Sequence, residues 1–507
     1  MQRLSFMPTF RSLLYVLIIL VLSYGVAYAF YSYPTSNYAS FFDKEEKVGV
    51  IGGIHTLNPL FVSPYTIEHS VATLLFQGLT TYDDTNQIIG ALGESWDVRE
   101  GGSEFLFHIK KDAIWSDGQP ITADDVIFTY GIVNDEHYQG WAKGYFTGVE
   151  MDVIDPYTIL FRLPNAYMPF LDSLTVPVIP AHLFPDKNIG TVNIETFVKQ
   201  KVFNTDYTLD SFTLSHRPNG TSYQELRIRS ENKKNFTLIF YPDKESMEIG
   251  FQLGEIDSML VTDDLNAASN IDQQGISYDK QPLWGQYAVM YINTEKVNDL
   301  DVRKGIIQAI DTAQFPGEKA YGPLPSKSSF WSELAGSRVS FNLEAAKSAL
   351  VGRELRLVYV DSPIYAEVAQ TVAHQLGAAG VAVKLQHVTL AELHEQVIPD
   401  RDYDVLLLMV YVGRDPDQYS FWHSSQINAP GQNFTGLKNR RVDKALENGR
   451  ANSDSAVRKE VYTEFQKNLL EEHAAVFLFH PYVHLINRQR SSLKLSPNMW
   501  DIRDVWK

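Results

Sequence analysis

Residues 354–412, ELRLVYVDSPIYAEVAQTVAHQLGAAGVAVKLQHVTLAELHEQVIPDRDYDVLLLMVYV, carry the clearest structural pattern in the chain. Residues 354–360 alternate between polar and apolar side chains, as a half-buried strand does. An apolar stripe at every fourth position then predicts a helix: Ile364, Val368, Val372 and Leu376. Residues 381–388 alternate again. In 404–412 a continuous apolar run follows Asp404, which is typical of a strand covered on both faces.

Residues 389–397 form a short amphipathic pattern, with Leu390 and Leu393 on one side. This order of strand, helix, strand, short helix and strand predicts a doubly wound α/β lobe with a parallel sheet. In such sheets ligands bind beyond the carboxyl ends of the strands. The loop that begins at Gly413 follows the last strand of the pattern. We therefore expect a binding site at this loop.

The first half of the chain has a different pattern. Short strand candidates at 105–109 and 158–163 are separated by turn-forming clusters such as Ser116-Asp117-Gly118. Thr122 is placed to begin a helix, with acidic residues in its first turn where the helix dipole favours them. This half predicts a smaller α+β region with antiparallel strand pairing.

Composition excludes several classes of function. The 507 residues include no cysteine, which excludes disulfides, thiolate metal sites and cysteine nucleophiles. Lys and Arg number 44 against 61 Asp and Glu, a formal net charge of −17. A general nucleic-acid binder needs a basic surface, so nucleic acid is not an expected partner.

The N-terminus predicts export. Residues 12–31 contain no charge, and Arg3 and Arg11 precede them. Twenty such residues are enough to span a bilayer as a retained anchor with the leading end in the cytoplasm. Alternatively, residues 13–24 are the apolar core of a secretory signal that is cleaved near Ala27-Tyr28-Ala29. Both interpretations place the rest of the chain outside the cytoplasm, tethered or secreted.

Several long blocks, in a fixed order, resemble the family 5 extracellular solute-binding proteins of ABC importers. The strongest is FLFHIKKDAIWSDGQPITADDVIFTY at 105–130, which is similar to the family's FHLRKGVKWHDGTPFTAEDVVFTY. Leu57-Asn58-Pro59-Leu60 and FQGLTTYD at 76–83 precede it, and FQLGEID at 251–257 and FWHSS at 421–425 follow it. The resemblance covers most of the exported chain.

The resemblance implies a two-lobed, type II periplasmic-binding-protein-like fold of the α/β class with an extra α+β subdomain. The segments it implies are an anchor or signal at 1–31, a tether at 32–45, a first lobe at 46–286 with an inserted subdomain at about 84–170, a second lobe at 287–478, and a return to the first lobe at 479–507. The resemblance also implies that the chain crosses between the lobes ahead of Tyr291-Ile292-Asn293 and again near Phe479-His480-Pro481.

The same resemblance implies a ligand site between the lobes. The residues predicted to contact ligand are Trp284, Tyr287, Tyr411, Arg414, Asp415, Asp417 and Trp422. In peptide-binding members of the family an acid three residues ahead of this Asp-Pro pair captures the peptide amino group. Here that position is Val412, which cannot do so. A free peptide amino group is therefore expected to bind only if Asp415, Asp417 or another acid takes over this role. Arg414 either favours an anionic group of the ligand or pairs with Asp415 within the loop.

No strong enzyme or metal motif is present in the sequence. A zincin motif and a nucleophile elbow are absent, and His480 and His484, four apart on a predicted strand, are only a weak metal pattern. We predict no catalytic residue, no metal and no cofactor. The predicted function is a monomeric substrate-binding protein that delivers an oligopeptide or dipeptide-like solute to an ABC permease. A non-peptide solute (a metal chelate, sugar or anionic small molecule) and, less favoured, a secreted hydrolase are the alternatives.

Overall fold

The computed structural model describes residues 45–506 except for 65, 186–196, 198, 217–221, 231–234, 263–275, 334–338, 430, 489–490 and 492. The strands, numbered along the chain, are β1 (Glu46–Ile51), β2 (Thr80–Tyr82), β3 (Ile88–Gly90), β4 (Gly93–Arg99), β5 (Glu104–Ile109), β6 (Glu150–Asp155), β7 (Thr158–Arg162), β8 (Tyr207–His216), β9 (Ser222–Ser230), β10 (Phe236–Tyr241), β11 (Ser258–Val261), β12 (Ile276–Pro282), β13 (Gln286–Ile292), β14 (Glu318–Lys319), β15 (Glu354–Val360), β16 (Ala382–Val388), β17 (Val405–Tyr411), β18 (Ala475–His480) and β19 (Tyr482–Arg488). The α-helices are α1 (Ile67–Leu75), α2 (Ala123–Asn134), α3 (Phe170–Ser173), α4 (Lys244–Leu253), α5 (Leu300–Ala309), α6 (Leu343–Leu350), α7 (Pro363–Ala378), α8 (Leu390–Glu392), α9 (Ile398–Asp400), α10 (Tyr419–Trp422), α11 (Arg440–Ala451) and α12 (Ser455–Glu471).

The second lobe is built on a six-stranded sheet with the order β14-β18-β13-β17-β15-β16. Strand β15 pairs in parallel with both β16 and β17, as the pattern of residues 354–412 predicts. Beyond these three strands the sheet is mixed, because β13 pairs antiparallel with β17 and β18, and β14 pairs antiparallel with β18. Strands β13 and β18 enter and leave the lobe at its connections to the other lobe, which local periodicity cannot reveal.

Helix α7 illustrates why the predicted pattern holds. The Ser362 hydroxyl accepts a hydrogen bond from the backbone of Tyr365, and Pro363 occupies the first turn, where its missing N–H costs nothing. Three of the four residues of its apolar stripe, Val368, Val372 and Leu376, are buried against the sheet. Two apolar cores therefore cover the second sheet, one on each face.

The first lobe contains a seven-stranded sheet with the order β12-β19-β11-β1-β10-β9-β8. A second sheet, β4-β5-β7-β6, is antiparallel throughout. Strands β5 and β7 match the two strands predicted at 105–109 and 158–163. The predicted helix start is also confirmed, since Thr122 and Asp125 form a capping box at the head of α2. Gly118, in the turn before it, has a φ of 88°, which favours glycine.

Two connections join the lobes, from β12 to β13 and from β18 to β19. They lie side by side, and the Leu283 N–H of one donates to the Pro481 carbonyl of the other at 2.8 Å. The C-terminal segment joins them, since Gly285 N–H donates to the Trp500 carbonyl at 2.8 Å. A Cβ at position 285 would lie 2.5 Å from that carbonyl oxygen, so only glycine allows this approach. Three chain segments thus meet where the lobes connect.

Residues 47–507 form one compact unit, and both lobes belong to it. The predicted anchor or signal at 12–31 lies outside the described residues. Among the residues that are described, no helix has the length and apolar character needed to cross a bilayer.

Candidate functional site

A cavity of about 610 Å³ lies between the two lobes. The first lobe lines it chiefly with residues on or beside α1, α3 and the loops at 141–149 and 163–169. The second lobe contributes residues 411–417 and Arg450, and the C-terminal segment contributes residues 500–503. A second cavity of about 610 Å³ adjoins it at Thr175, Arg414 and Arg503, but Arg414 is its one contribution from the second lobe. The first cavity is therefore the candidate site.

Four of the sequence-predicted site residues lie together on this cavity: Tyr411, Arg414, Asp415 and Asp417. They occupy the end of β17 and the loop that follows it, at the carboxyl end of a parallel strand pair. This is the position at which α/β sheets bind ligands. The role of these side chains in ligand contact stays a prediction.

The structure does not bring the three other predicted residues to this cavity. Trp284, Tyr287 and Trp422 are buried in the apolar core of the second lobe. Their rings pack on other core rings, with Tyr287 5.6 Å from Phe477 and Trp422 5.5 Å from Tyr291 between ring centroids. A sequence does not show whether a large apolar residue near a binding loop belongs to the core or to the site.

Arg414 does not pair with Asp415, which corrects the pairing weighed from the sequence. Its guanidinium donates to Asp501 Oδ2 at 3.3 Å and to Asp504 Oδ2 at 2.5 Å, and its Nε donates to Asn86 Oδ1 at 2.9 Å. Arg414 and both acids are buried. The two arginines, Arg414 and Arg503, hold the pKa of Asp501 well below its usual range. The positive charge of Arg414 is therefore already neutralised by the protein.

The two acids of the loop are also paired. Both carboxylate oxygens of Asp415 accept from Arg458 Nη2 at 2.9 Å. Burial nevertheless raises the pKa of Asp415 to about 6. Asp417 Oδ2 accepts from Arg450 Nη2 at 2.6 Å. These ion pairs fix the loop on helices α11 and α12 and leave neither carboxylate free.

Val412 has its side chain buried and uses its backbone to fix the loop to the lobe connection. Its N–H donates to the Gly285 carbonyl at 2.8 Å, and its carbonyl accepts from Trp500 Nε1 at 2.8 Å. The position that carries an acid in the peptide-binding pattern thus presents no charge to the cavity.

Asp172 is a cavity residue that sequence reasoning missed. It lies in the short helix α3 of the first lobe, and the Tyr82 hydroxyl donates a hydrogen bond to its Oδ1. Desolvation by burial raises the pKa of Asp172. Its other oxygen, Oδ2, faces the second lobe: a Cβ built on Gly413 would lie 3.8 Å from it. Nothing local in the sequence distinguishes this aspartate, because the fold alone brings it opposite residue 413.

Comparisons with known proteins agree with this architecture. The model of the bacterial extracellular solute-binding proteins, family 5 (middle), matches residues 87–432. The oligopeptide-binding protein AppA of Bacillus subtilis is 25% identical over 482 residues, which cover 86% of each chain.

Two solved structures share the fold. The structure of AppA from Bacillus subtilis in complex with a nonapeptide has a TM-score of 0.67 at 22% identity, covering 91% of this chain and 98% of that one. NikZ from Campylobacter jejuni in complex with Ni(L-His) has a TM-score of 0.68 at 20% identity, covering 91% and 99%.

Proposed function

Because the chain belongs to the bacterial extracellular solute-binding proteins of family 5, as its ordered sequence blocks predict, we propose that it is the substrate-binding component of an ABC importer. It takes an oligopeptide or dipeptide-like solute between its lobes and delivers it to a permease. It works outside the cytoplasm, either tethered by its N-terminal segment or secreted, and it acts as a monomer without catalysing a reaction.

The observation that carries this proposal is the cavity lined by both lobes and the C-terminal segment. Its volume of about 610 Å³ falls in the range of about 300–1,000 Å³ typical of small-molecule sites. A solute that contacts both walls stabilises the arrangement in which the walls are close. Binding then shifts the population toward that arrangement, which is the general basis of hinge closure.

The connections between the lobes suit such a hinge. Three backbone segments meet at Gly285, held by hydrogen bonds from Leu283 to Pro481 and between residues 285 and 500. Small changes in backbone angles at these few positions would change the separation of residues 172 and 413 across the cavity. A permease would then distinguish the loaded protein from the empty one by the relative position of the lobes.

Peptide-like solutes are favoured over anionic ones by the charges of the cavity. Arg414, the candidate for binding an anion, is held by Asp501 and Asp504. One relative that resembles this chain over most of its length, AppA of Bacillus subtilis, is an oligopeptide-binding protein. A nickel chelate, as in NikZ, remains the alternative solute class.

Native mass spectrometry of the full-length chain, incubated with a library of peptides of two to five residues, tests the proposal. The expected result is a one-to-one complex with intact peptide and a higher melting temperature. A ligand at 100 times its Kd stabilises a protein by about 2.7 kcal/mol. Cleaved peptide would support the hydrolase instead, and a shift produced by a metal chelate or sugar but by no peptide would overturn the peptide assignment.

A further inference from the structure

The charged side chains around the cavity do not balance. Four aspartates line it, at positions 172, 415, 417 and 501, together with three arginines, at positions 414, 450 and 503. Arg458 and Asp504 stand directly behind them, each in an ion pair with a lining residue. His69 also lines the cavity, but burial lowers its pKa to about 3 and leaves it neutral at pH 7. Five carboxylates and four guanidiniums therefore surround the cavity, an excess of one acidic group.

Each guanidinium is assigned to a carboxylate other than Asp172. Arg458 pairs with Asp415, Arg450 with Asp417, Arg414 with Asp501 and Asp504, and Arg503 with Asp501. In the part of the chain that the structure describes, no lysine or arginine forms an ion pair with Asp172. The unbalanced negative charge of the cavity thus belongs to Asp172.

The hydrogen bonding of Asp172 leaves one side of the carboxylate available. Tyr82 donates to Oδ1 and thereby fixes the orientation of the group. Oδ2 faces the gap toward the second lobe, where residue 413 is a glycine and contributes no side chain. A positively charged group in this gap would contact the first lobe through Asp172 and lie against the backbone of the loop at 413–415.

We propose that Asp172 is a cation subsite that binds a primary ammonium group of the solute, either a peptide amino terminus or a lysine side chain. This inference rests on the proposed function and names the chemical group that its cleft recognises. A charge-assisted hydrogen bond from ammonium to a carboxylate is among the stronger polar contacts. One carboxylate with one free oxygen suits a monovalent donor, whereas a divalent metal needs several oxygen ligands. The described residues contain no cluster of three or more metal-ligating side chains.

The subsite also couples the solute to the lobes. Asp172 belongs to the first lobe and Gly413 to the second, so an ammonium group held between them contacts both walls at once. A solute of this chemistry would favour the closed arrangement, and a neutral analogue of the same shape would do so less.

The test uses the full-length chain and three matched libraries of peptides of two to five residues. The first has free amino termini and no lysine, the second is the same library N-acetylated, and the third is N-acetylated and carries one lysine. Native mass spectrometry identifies the tightest member of each, and titration calorimetry gives its Kd for wild type, Asp172→Asn and a control, Asp301→Asn. Asp301 is exposed on α5 and is not among the residues that line the cavity, and its replacement by asparagine removes the same charge.

We expect the free-amine or the lysine library to bind wild type at least tenfold more tightly than the acetylated, lysine-free library. Asp172→Asn should weaken the amine-dependent binding by about 10- to 100-fold, as expected for a hydrogen bond to a charged group. It should leave binding of the neutral library unchanged, and Asp301→Asn should match wild type. The preferred library identifies the source of the ammonium group.

Equal binding of all three libraries, with neither the free-amine nor the lysine library tighter than the neutral one, would overturn the subsite while leaving the solute-binding function intact. So would wild-type affinity in a folded Asp172→Asn protein. If that variant does not fold, the comparison of libraries on wild type decides alone. Binding by none of the three libraries would overturn the proposed peptide function and the subsite with it.

Discussion

The backbone N–H of Met168 donates a 2.8 Å hydrogen bond to the carbonyl of Arg450, and this bond joins the two lobes at the rim of the cleft. The Arg450 guanidinium lies between two rings: its carbon is 5.0 Å from the Tyr167 centroid in the first lobe and 4.0 Å from the Tyr419 centroid in the second. We call the contacts of residues 167–168 with Arg450 the latch. The Arg450–Asp417 ion pair and the Tyr419 ring hold Arg450 in place on the second-lobe side.

Tyr167→Leu should weaken the latch without disturbing the loop. It removes the first-lobe ring but leaves Tyr419 and Asp417 on Arg450, so the ring contact between the lobes is lost while the Met168–Arg450 hydrogen bond remains. A cation–π contact contributes about 0.5–2 kcal/mol, and we expect a 2- to 30-fold rise in the Kd of the solute and a larger radius of gyration in solution scattering of the free protein. Tyr321→Leu, which removes a ring beside Lys319 within the second lobe, is the control. An unchanged Kd would show that this contact does not stabilise the bound arrangement.

Gly413→Ala should reduce affinity while preserving stability. The new Cβ would meet its nearest atoms, Asp172 Oδ2 and the backbone of Asp415, at 3.8–3.9 Å, which is ordinary contact. The free energy of unfolding should therefore change by less than about 0.5 kcal/mol.

The methyl group of Gly413→Ala occupies the gap assigned to the ammonium group, and overpacking of this kind costs about 1–3 kcal/mol. The Kd of the solute should therefore rise about 5- to 150-fold. Gly377→Ala in helix α7, which has open space around it, should leave the Kd unchanged. Wild-type affinity in Gly413→Ala would place the solute elsewhere.

Arg414→Met should destabilise the protein strongly. The variant leaves Asp501 and Asp504 buried, and breaking a buried ion pair from one side costs about 3–5 kcal/mol. Urea unfolding measures this cost. Arg162→Met is a matched control, because Arg162 pairs with Glu104 and Asp152 on a solvent-exposed part of the first lobe, where such pairs contribute about 0–1 kcal/mol. Equal losses in the two variants would contradict the structural role assigned to Arg414.

His480 should make stability depend on pH at the connection between the lobes. Its Nδ1–H donates to the Gln286 carbonyl at 2.8 Å, and burial lowers the pKa of His480 to about 4. The unfolded chain binds a proton at this histidine below about pH 6.5, whereas the folded chain does so only below about pH 4. Proton binding to the unfolded chain therefore lowers the free energy of unfolding as the pH falls from about 6.5 toward 4, and above pH 6.5 this loss is absent.

The measurement is the free energy of unfolding at pH 7 and at pH 4.5. Wild type should lose about 2–3 kcal/mol more between these values than His480→Gln does. His137→Gln, at an exposed site, should retain the wild-type difference. Parallel pH profiles of wild type and His480→Gln would show that His480 does not contribute.

The sequence was informative where structure follows from neighbouring residues. The alternation of residues 354–360, the stripe from Val368 to Leu376, and Thr122 with acidic residues after it each predicted an element that the structure contains. Such patterns arise because burial of one face and satisfaction of helix ends are local requirements.

The cleft depends instead on contacts between distant positions. Arg414 reaches Asp501 and Asp504, 87 and 90 residues further along the chain. Asp172 meets the loop at Gly413 only because two lobes from separate parts of the chain face each other. Residues 411–417 could be assigned to the site from their place after a buried strand, but which of their charges are already neutralised could not.

Hydrogen–deuterium exchange of the full-length chain, with and without the tightest peptide of the library, tests the central claim most directly. If an intact solute is held between the lobes, it should slow exchange in segments 167–173 of the first lobe and 411–417 of the second together, at peptide concentrations near the Kd. Protection confined to one lobe, or protection that fades as the peptide is cleaved, would contradict it.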